Sequence, residues 1–160
     1  MRAVDNALTM TPEIREPQKR ILPLHAKVSS ALAREAIYEG TLPVARLERL
    51  KAAVVDDTVD LHVHLQLRRD ANRAPKLEGT VTGQLPLICQ RCLRPFLMPL
   101  DTIVDLRLVF NEDEENRVLK DAEPWLIEDD QLMFHTVVEE EVLLALPYAP
   151  RCEQDDCRPG

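Results

Sequence analysis

Aromatic side chains make up only 4% of the 160 residues, so the core must be built from Leu, Val, Ile and Ala. No apolar run approaches the roughly 18 residues that a membrane-spanning helix needs. The opening Met1-Arg2-Ala3-Val4-Asp5-Asn6 lacks the apolar stretch of a secretory signal, which makes the cytoplasm the expected compartment. In a reducing compartment, the four cysteines are expected as thiols or metal ligands rather than disulfides. With only four glycines, the chain has no glycine-rich phosphate loop. A Ser-centred nucleophile elbow and a helical pairing of histidine with carboxylate are also missing, so an enzyme is not expected. The formal net charge of -8 has the wrong sign for a protein that coats nucleic acid.

What is present is ordinary globular chemistry, 45% apolar and 30% charged, in a length that suits one domain. Residues 1–20, with Pro12 and Pro17 among mixed charges, read as a flexible arm carrying one early strand, and 21–160 as a single domain. The charge is uneven. Residues 1–80 hold 13 Lys/Arg against 11 Asp/Glu, whereas residues 81–160 hold 7 against 17. An acidic half suits a basic protein partner.

Lys27 to Arg34 is expected as a short helix, and Glu35 to Thr41 as a strand and turn. A helix from about Pro43, capped by Thr41, would turn Val44, Leu47, Leu50 and Val54 to the core. Arg46 and Arg49 would then lie on a solvated side. From Val59 to Arg68 the period becomes two, with Leu61, Val63, Leu65 and Leu67 opposing His62, His64, Gln66 and Arg68. His62 and His64 share a face but lack a third ligand nearby, so they read as exposed polar positions. Two more long extended runs, Lys76 to Ile88 and Phe96 to Phe110, fit a hairpin with Cys89-Gln90-Arg91-Cys92 at its tip. Gly79 and Gly83 on one face of the first run suggest a bulge or close packing under a crossing element.

Asn111 to Arg117, with Glu112, Asp113, Glu114 and Glu115, reads as a mobile acidic loop. Trp125-Leu126-Ile127 reads as a short strand beside Glu128, Asp129 and Asp130. A last helix is expected to start at Thr136 with Glu139 at capping-box spacing, placing Glu140 and Glu141 near its positive end, and to stop at Pro147.

Two groups of cations stand out as candidate RNA contacts. Arg68, Arg69, Arg73 and Lys76 lie in one predicted loop, Arg91 and Arg94 in another. If both loops sat at one end of the sheet, they would form one cationic surface. The acids Glu112, Asp113, Glu114, Glu115, Glu128, Asp129 and Asp130 are candidates for holding a basic partner.

For the cysteines, three readings compete. Cys89 and Cys92 form a knuckle that Cys152 and Cys157 would close into a tetrahedral thiolate site, with zinc as the candidate cofactor. Alternatively, Cys89 and Cys92 are a redox dithiol, although such motifs open a helix and the flanks here look like strands. In the third reading all four are reduced and incidental.

The chain resembles the YceD (DUF177) family of large ribosomal RNA subunit accumulation proteins. Three features in order carry the resemblance: the strand into Cys89-Gln90-Arg91-Cys92-Leu93-Arg94-Pro95-Phe96; the acidic linker; and Val138-Glu139-Glu140-Glu141-Val142-Leu143-Leu144-Ala145-Leu146-Pro147 followed by Cys152 and Cys157. It covers roughly residues 20–157. It implies a factor for large-subunit biogenesis that supports 23S ribosomal RNA accumulation without catalytic activity. It also implies a basic large-subunit ribosomal protein as a natural partner, with ribosomal RNA as the other. The alternative function is a zinc- or thiol-dependent regulatory module unrelated to ribosomes. Neither a membrane nor a small-molecule substrate is expected. The expected fold is α+β, an antiparallel sheet of about five or six strands with two or three packed helices.

Overall fold

The computed structural model describes residues 20–159. The arm expected over residues 1–20 therefore lies, apart from Arg20, outside the described residues. The fold is α+β, as expected. Strands β2 (Ile37–Pro43), β3 (Asp60–Arg69), β4 (Pro75–Ile88), β5 (Pro95–Val109) and β6 (Pro124–Leu126) form one sheet in that spatial order. The first four are antiparallel and β6 runs parallel to β5. A second, two-stranded sheet pairs β1 (His25–Lys27) with β7 (Gln131–Met133). Four helices complete the described chain: α1 (Val28–Ala33), α2 (Glu48–Ala53), α3 (Glu112–Val118) and α4 (Phe134–Ala145).

The period-two patterns act as expected. Leu61, Val63, Leu65 and Leu67 of β3, Leu77, Val81 and Leu85 of β4, and Leu100, Val104, Leu106 and Leu108 of β5 are buried in one cluster. Val28, Ala31 and Leu32 of α1, Leu50 of α2, and Phe134, Val137, Val138 and Val142 of α4 belong to the same cluster. Each such Leu or Val contributes roughly 1.5–3 kcal/mol by leaving water. His62 and His64 are exposed on the opposite face. Gly79 is where close packing is decisive. Its φ is +158°, and an added Cβ would lie 1.8 Å from the carbonyl oxygen of His64. The close neighbour is the backbone of β3, not a crossing element.

Three local expectations are overturned, each by a partner distant in sequence or a cap that composition hides. The acidic segment after Asn111 is helix α3, not a loop. The Asn111 side chain accepts from the Glu114 N–H at 2.9 Å, and the Glu114 carboxylate accepts from the Phe110 N–H at 2.9 Å. Glu112, Asp113, Glu114 and Glu115 all fall in the first turn, where the helix dipole favours negative charge.

Helix α4 starts at Phe134 rather than at Thr136, without a side-chain cap. The Phe134 N–H donates to the Leu24 carbonyl at 3.1 Å, and the buried Phe134 ring packs on Tyr38 with centroids 4.7 Å apart. Burial of this ring ties the helix start to β2.

Thr41 lies within β2 and caps nothing. After it come a 3-10 turn, Val44–Arg46, and then α2. The cap of α2 is Glu139 from α4, which accepts the backbone N–H of Arg49 at 3.0 Å and of Leu50 at 3.4 Å. Arg49, expected to be merely solvated, donates to Glu139 at 3.2 Å and to Glu140 at 2.8 Å. Glu140 and Glu141 are thus beyond the first turn of α4, so the helix dipole is not their explanation. Glu141 is buried, and one of its carboxylate oxygens has no hydrogen-bond partner among the described residues.

A candidate four-cysteine metal centre

The β4–β5 hairpin ends in the cysteine box, as its spacing predicts. Cys89 donates its N–H to the Arg94 carbonyl at 2.9 Å, and Leu93 donates back to the Cys89 carbonyl at 2.9 Å. Leu93 sits at φ 62°, the left-handed conformation that folds the knuckle back on itself. Beyond α4, Pro147 ends the helical chain and the remaining residues return to this knuckle, where Gln90 donates to the Pro150 carbonyl at 2.8 Å. That return brings the two cysteine pairs together.

All four Sγ atoms lie within 4.8 Å of one another. Cys89 and Cys157 are 3.6 Å apart, Cys92 and Cys152 3.7 Å. A tetrahedral ion with metal–sulfur bonds of about 2.3 Å requires sulfur–sulfur edges of about 3.8 Å. Disulfides, at about 2.05 Å, would look quite different. Cys89 is buried and the others are half-buried. The ligand set and its spacing fit a closed, structural thiolate site.

Local electrostatics already favour thiolate at part of this cluster. The Cys92 N–H aimed at the Cys89 sulfur (3.5 Å), joined by the Cys152 N–H (3.4 Å), lowers the Cys89 pKa to about 5 against the opposing effect of desolvation. Cys92 is lowered chiefly by the Arg94 backbone N–H. Cys157 is pushed up to about 12, mainly by burial and then by the crowded thiols. Four thiolates this close need a cation between them.

Arg94 and Asp156 clamp the two halves of the centre. The guanidinium donates to both Asp156 carboxylate oxygens, at 2.9 and 3.1 Å. Asp156 is held below the ordinary carboxylate range by that hydrogen bond. Asp156 was not a candidate in the sequence. The available signal was an acid beside Cys157 facing a cation two residues after Cys92.

Arg94 is thus committed to the centre. In the other cationic group, Arg68 is paired with Glu78, while Lys76 reaches Asp105 at 2.9 Å and Glu78 at 3.8 Å. Arg69 donates to the Arg73 carbonyl at 2.9 Å. Arg69, Arg73 and Arg91 are exposed and, among the described residues, in no ion pair. The two loops lie at opposite ends of the 14-residue β4, roughly 45 Å apart at the rise of a strand. They do not form one cationic surface.

The acids also separate. Glu112, Asp113, Glu114 and Glu115 open α3, whereas Glu128, Asp129 and Asp130 form the turn from β6 to β7. Asp130 caps α1, accepting from the Ser29 N–H at 3.0 Å and its hydroxyl at 2.6 Å. Glu112, Asp113, Glu128 and Asp129 remain exposed.

Comparison with known proteins adds the family. The model described as "Large ribosomal RNA subunit accumulation protein YceD" matches residues 77–160, more than half the chain. The chain belongs to the YceD family. Its match begins in β4 and takes in both cysteine pairs, the Arg94–Asp156 clamp and α4. A curated YceD protein of Haemophilus influenzae, also named a large ribosomal RNA subunit accumulation protein, is 29% identical over 141 residues, which are 88% of this chain and 81% of that relative. No solved structure matches. Among the described residues, no helix of this YceD-family chain is long and apolar enough to cross a membrane.

Proposed function

We infer that the protein is a non-enzymatic, cytoplasmic factor for biogenesis of the large ribosomal subunit, needed for 23S ribosomal RNA to accumulate. The family match across the cysteine box, the clamp and α4 carries this reading. The four thiols act as a structural zinc site, with Cys89, Cys92, Cys152 and Cys157 as ligands. When bound, zinc supplies neutralisation of the crowded thiolates and a crosslink between the β4–β5 tip and the C-terminal segment.

A basic large-subunit ribosomal protein is the favoured client, held by Glu112, Asp113, Glu114, Glu115, Glu128, Asp129 and Asp130, whose exposed members offer negative charge to a strongly cationic protein. Glu114 and Asp130 also serve as caps, so Glu112, Asp113, Glu128 and Asp129 carry most of that attraction. Ribosomal RNA contact falls to Arg69 and Arg73 at one end of the sheet and Arg91 at the other, while Arg68, Lys76 and Arg94 serve mainly to fix those loops. Sedimentation of a cell extract in a sucrose gradient tests the reading. The protein should travel with large-subunit precursors at moderate salt. Migration only as free protein would contradict it.

A further inference from the structure

Strand β5 is 15 residues long, yet its outer neighbour β6 covers only Arg107, Leu108 and Val109. In an antiparallel pair, alternate residues direct both backbone groups to the same side. Arg107 donates outward to the Glu123 carbonyl at 2.8 Å, and the Val109 carbonyl accepts outward from Ile127 at 2.7 Å. Odd-numbered residues of β5 thus face away from β4. The register with β4 runs without a slip from Lys76↔Arg107 to Ile88↔Pro95, so the same phase holds along the whole strand. Pro99, which has no N–H, falls in this outward phase, where a proline costs the ladder nothing.

Leu97, Asp101, Ile103 and Asp105 therefore present outward donors, and these four with Pro99 present outward acceptors, along roughly 27 Å of edge. Among the described residues no strand pairs with this stretch. At its start the edge opens on a groove of about 640 Å³, bounded on the far side by the C-terminal segment Arg151 to Gln154. Side chains of the outward residues share one exposed face and read Leu97 (59% exposed), Pro99, Asp101, Ile103 (76% exposed) and Asp105 in order.

We propose that the free edge of β5 from Leu97 to Asp105 takes an added strand from a protein partner, an extended segment that carries basic and apolar residues in turn along one of its two faces. Backbone pairing supplies the register, and side chains two positions apart on one face of the added strand meet Leu97, Asp101, Ile103 and Asp105. Asp101 is the acid that holds no ion pair among the described residues, whereas Asp105 is already shared with Lys76. A second copy of this chain is a poor occupant. Pairing two such edges about Asp101 or about Ile103 sets carboxylate against carboxylate, and pairing about Thr102, which sets Asp101 against Ile103, still lines one face of the seam with four carboxylates. Nucleic acid is repelled by the same carboxylates. The inference stands whether or not the client is ribosomal.

The test uses the full chain and a blocked nine-residue peptide with Lys and Val alternating at its odd positions and Thr at its even ones. The expected result is peptide binding by fluorescence anisotropy, weakened about fivefold by Asp101→Lys, which leaves the Lys76–Asp105 ion pair intact, and abolished when the peptide backbone is N-methylated. Amide exchange on the unmodified protein gives a second reading that needs no variant. Leu97, Asp101, Ile103 and Asp105 should exchange fast alone and slowly with peptide, while Val104 and Leu106 stay slow throughout. Equal binding of the N-methylated peptide, no binding at low salt, or unchanged exchange at the four outward amides would each overturn the proposal.

Discussion

Removing metal should release the C-terminal segment while the sheet stays folded. After Leu146, thirteen residues run to the last described position with almost no regular structure, and fixing them costs roughly 1–2 kcal/mol each in backbone entropy, or about 13–26 kcal/mol in all. Holding them without metal are the Gln90–Pro150 hydrogen bond, the exposed Arg94–Asp156 ion pair and weak thiol contacts. Net hydrogen bonds contribute roughly 1 kcal/mol each and an exposed ion pair at most about 1. These fall well short, whereas a structural zinc ion contributes about 10–16 kcal/mol in small domains.

Trypsin at Arg151 is the assay, with zinc against chelator, read by mass spectrometry. Cleavage there should be rapid in chelator and slow with zinc, with Arg107 inside β5 protected under both conditions. Cys89→Ser, which loses the buried ligand and its two N–H donors, should behave as the chelated protein does. Equal protection of Arg151 with and without metal would refute the reasoning.

Other perturbations separate the roles assigned to single side chains. Glu139→Ala should lower unfolding free energy by about 1–2 kcal/mol in urea, because it removes the cap of α2, whereas Glu140→Ala, losing only an exposed ion pair, should cost under about 1. Glu141 has its pKa raised to about 7, mainly by burial and then by Glu123 and Glu140. Its folded form holds a proton that the unfolded chain releases from the ordinary glutamate range upward, so its stabilisation is present at acid pH and is lost as pH rises through about 7. Glu141→Gln should therefore gain about 1 kcal/mol relative to wild type at pH 8 and little at pH 4.5, checked by melting across pH. Reversing Glu112, Asp113, Glu128 and Asp129 to Lys should reduce capture of a basic ribosomal protein, most at low salt, since exposed charges are screened beyond about 10 Å at 0.1 M. Equal capture by the reversed variant would remove the client contact from these acids.

The long strands were legible because one face of each is buried, so Leu61 to Leu67 and Leu100 to Leu108 had to alternate. The hairpin bearing Cys89 and Cys92 followed from the same pattern. The meeting of the cysteine pairs did not follow, since it depends on how the chain returns after Pro147. Glu139 was misassigned for a related reason. At capping-box spacing after Thr136 it suggested a local cap, yet its carboxylate serves α2 across the fold. Composition alone was misleading at Glu112 to Glu115, where the same acids that resemble a loop stabilise a helix start once Asn111 caps it. Loop charge likewise hid its pairing: Arg68, Lys76 and Arg94 looked free until Glu78, Asp105 and Asp156 were placed beside them.

The central claim is that large-subunit assembly depends on this protein. Its direct test is the ratio of mature 23S to 16S ribosomal RNA after depletion, measured with a ribosome profile at cold and warm growth temperatures. The account predicts a falling ratio and fewer large subunits, with small subunits nearly normal. An unchanged ratio and normal large subunits at both temperatures would contradict it.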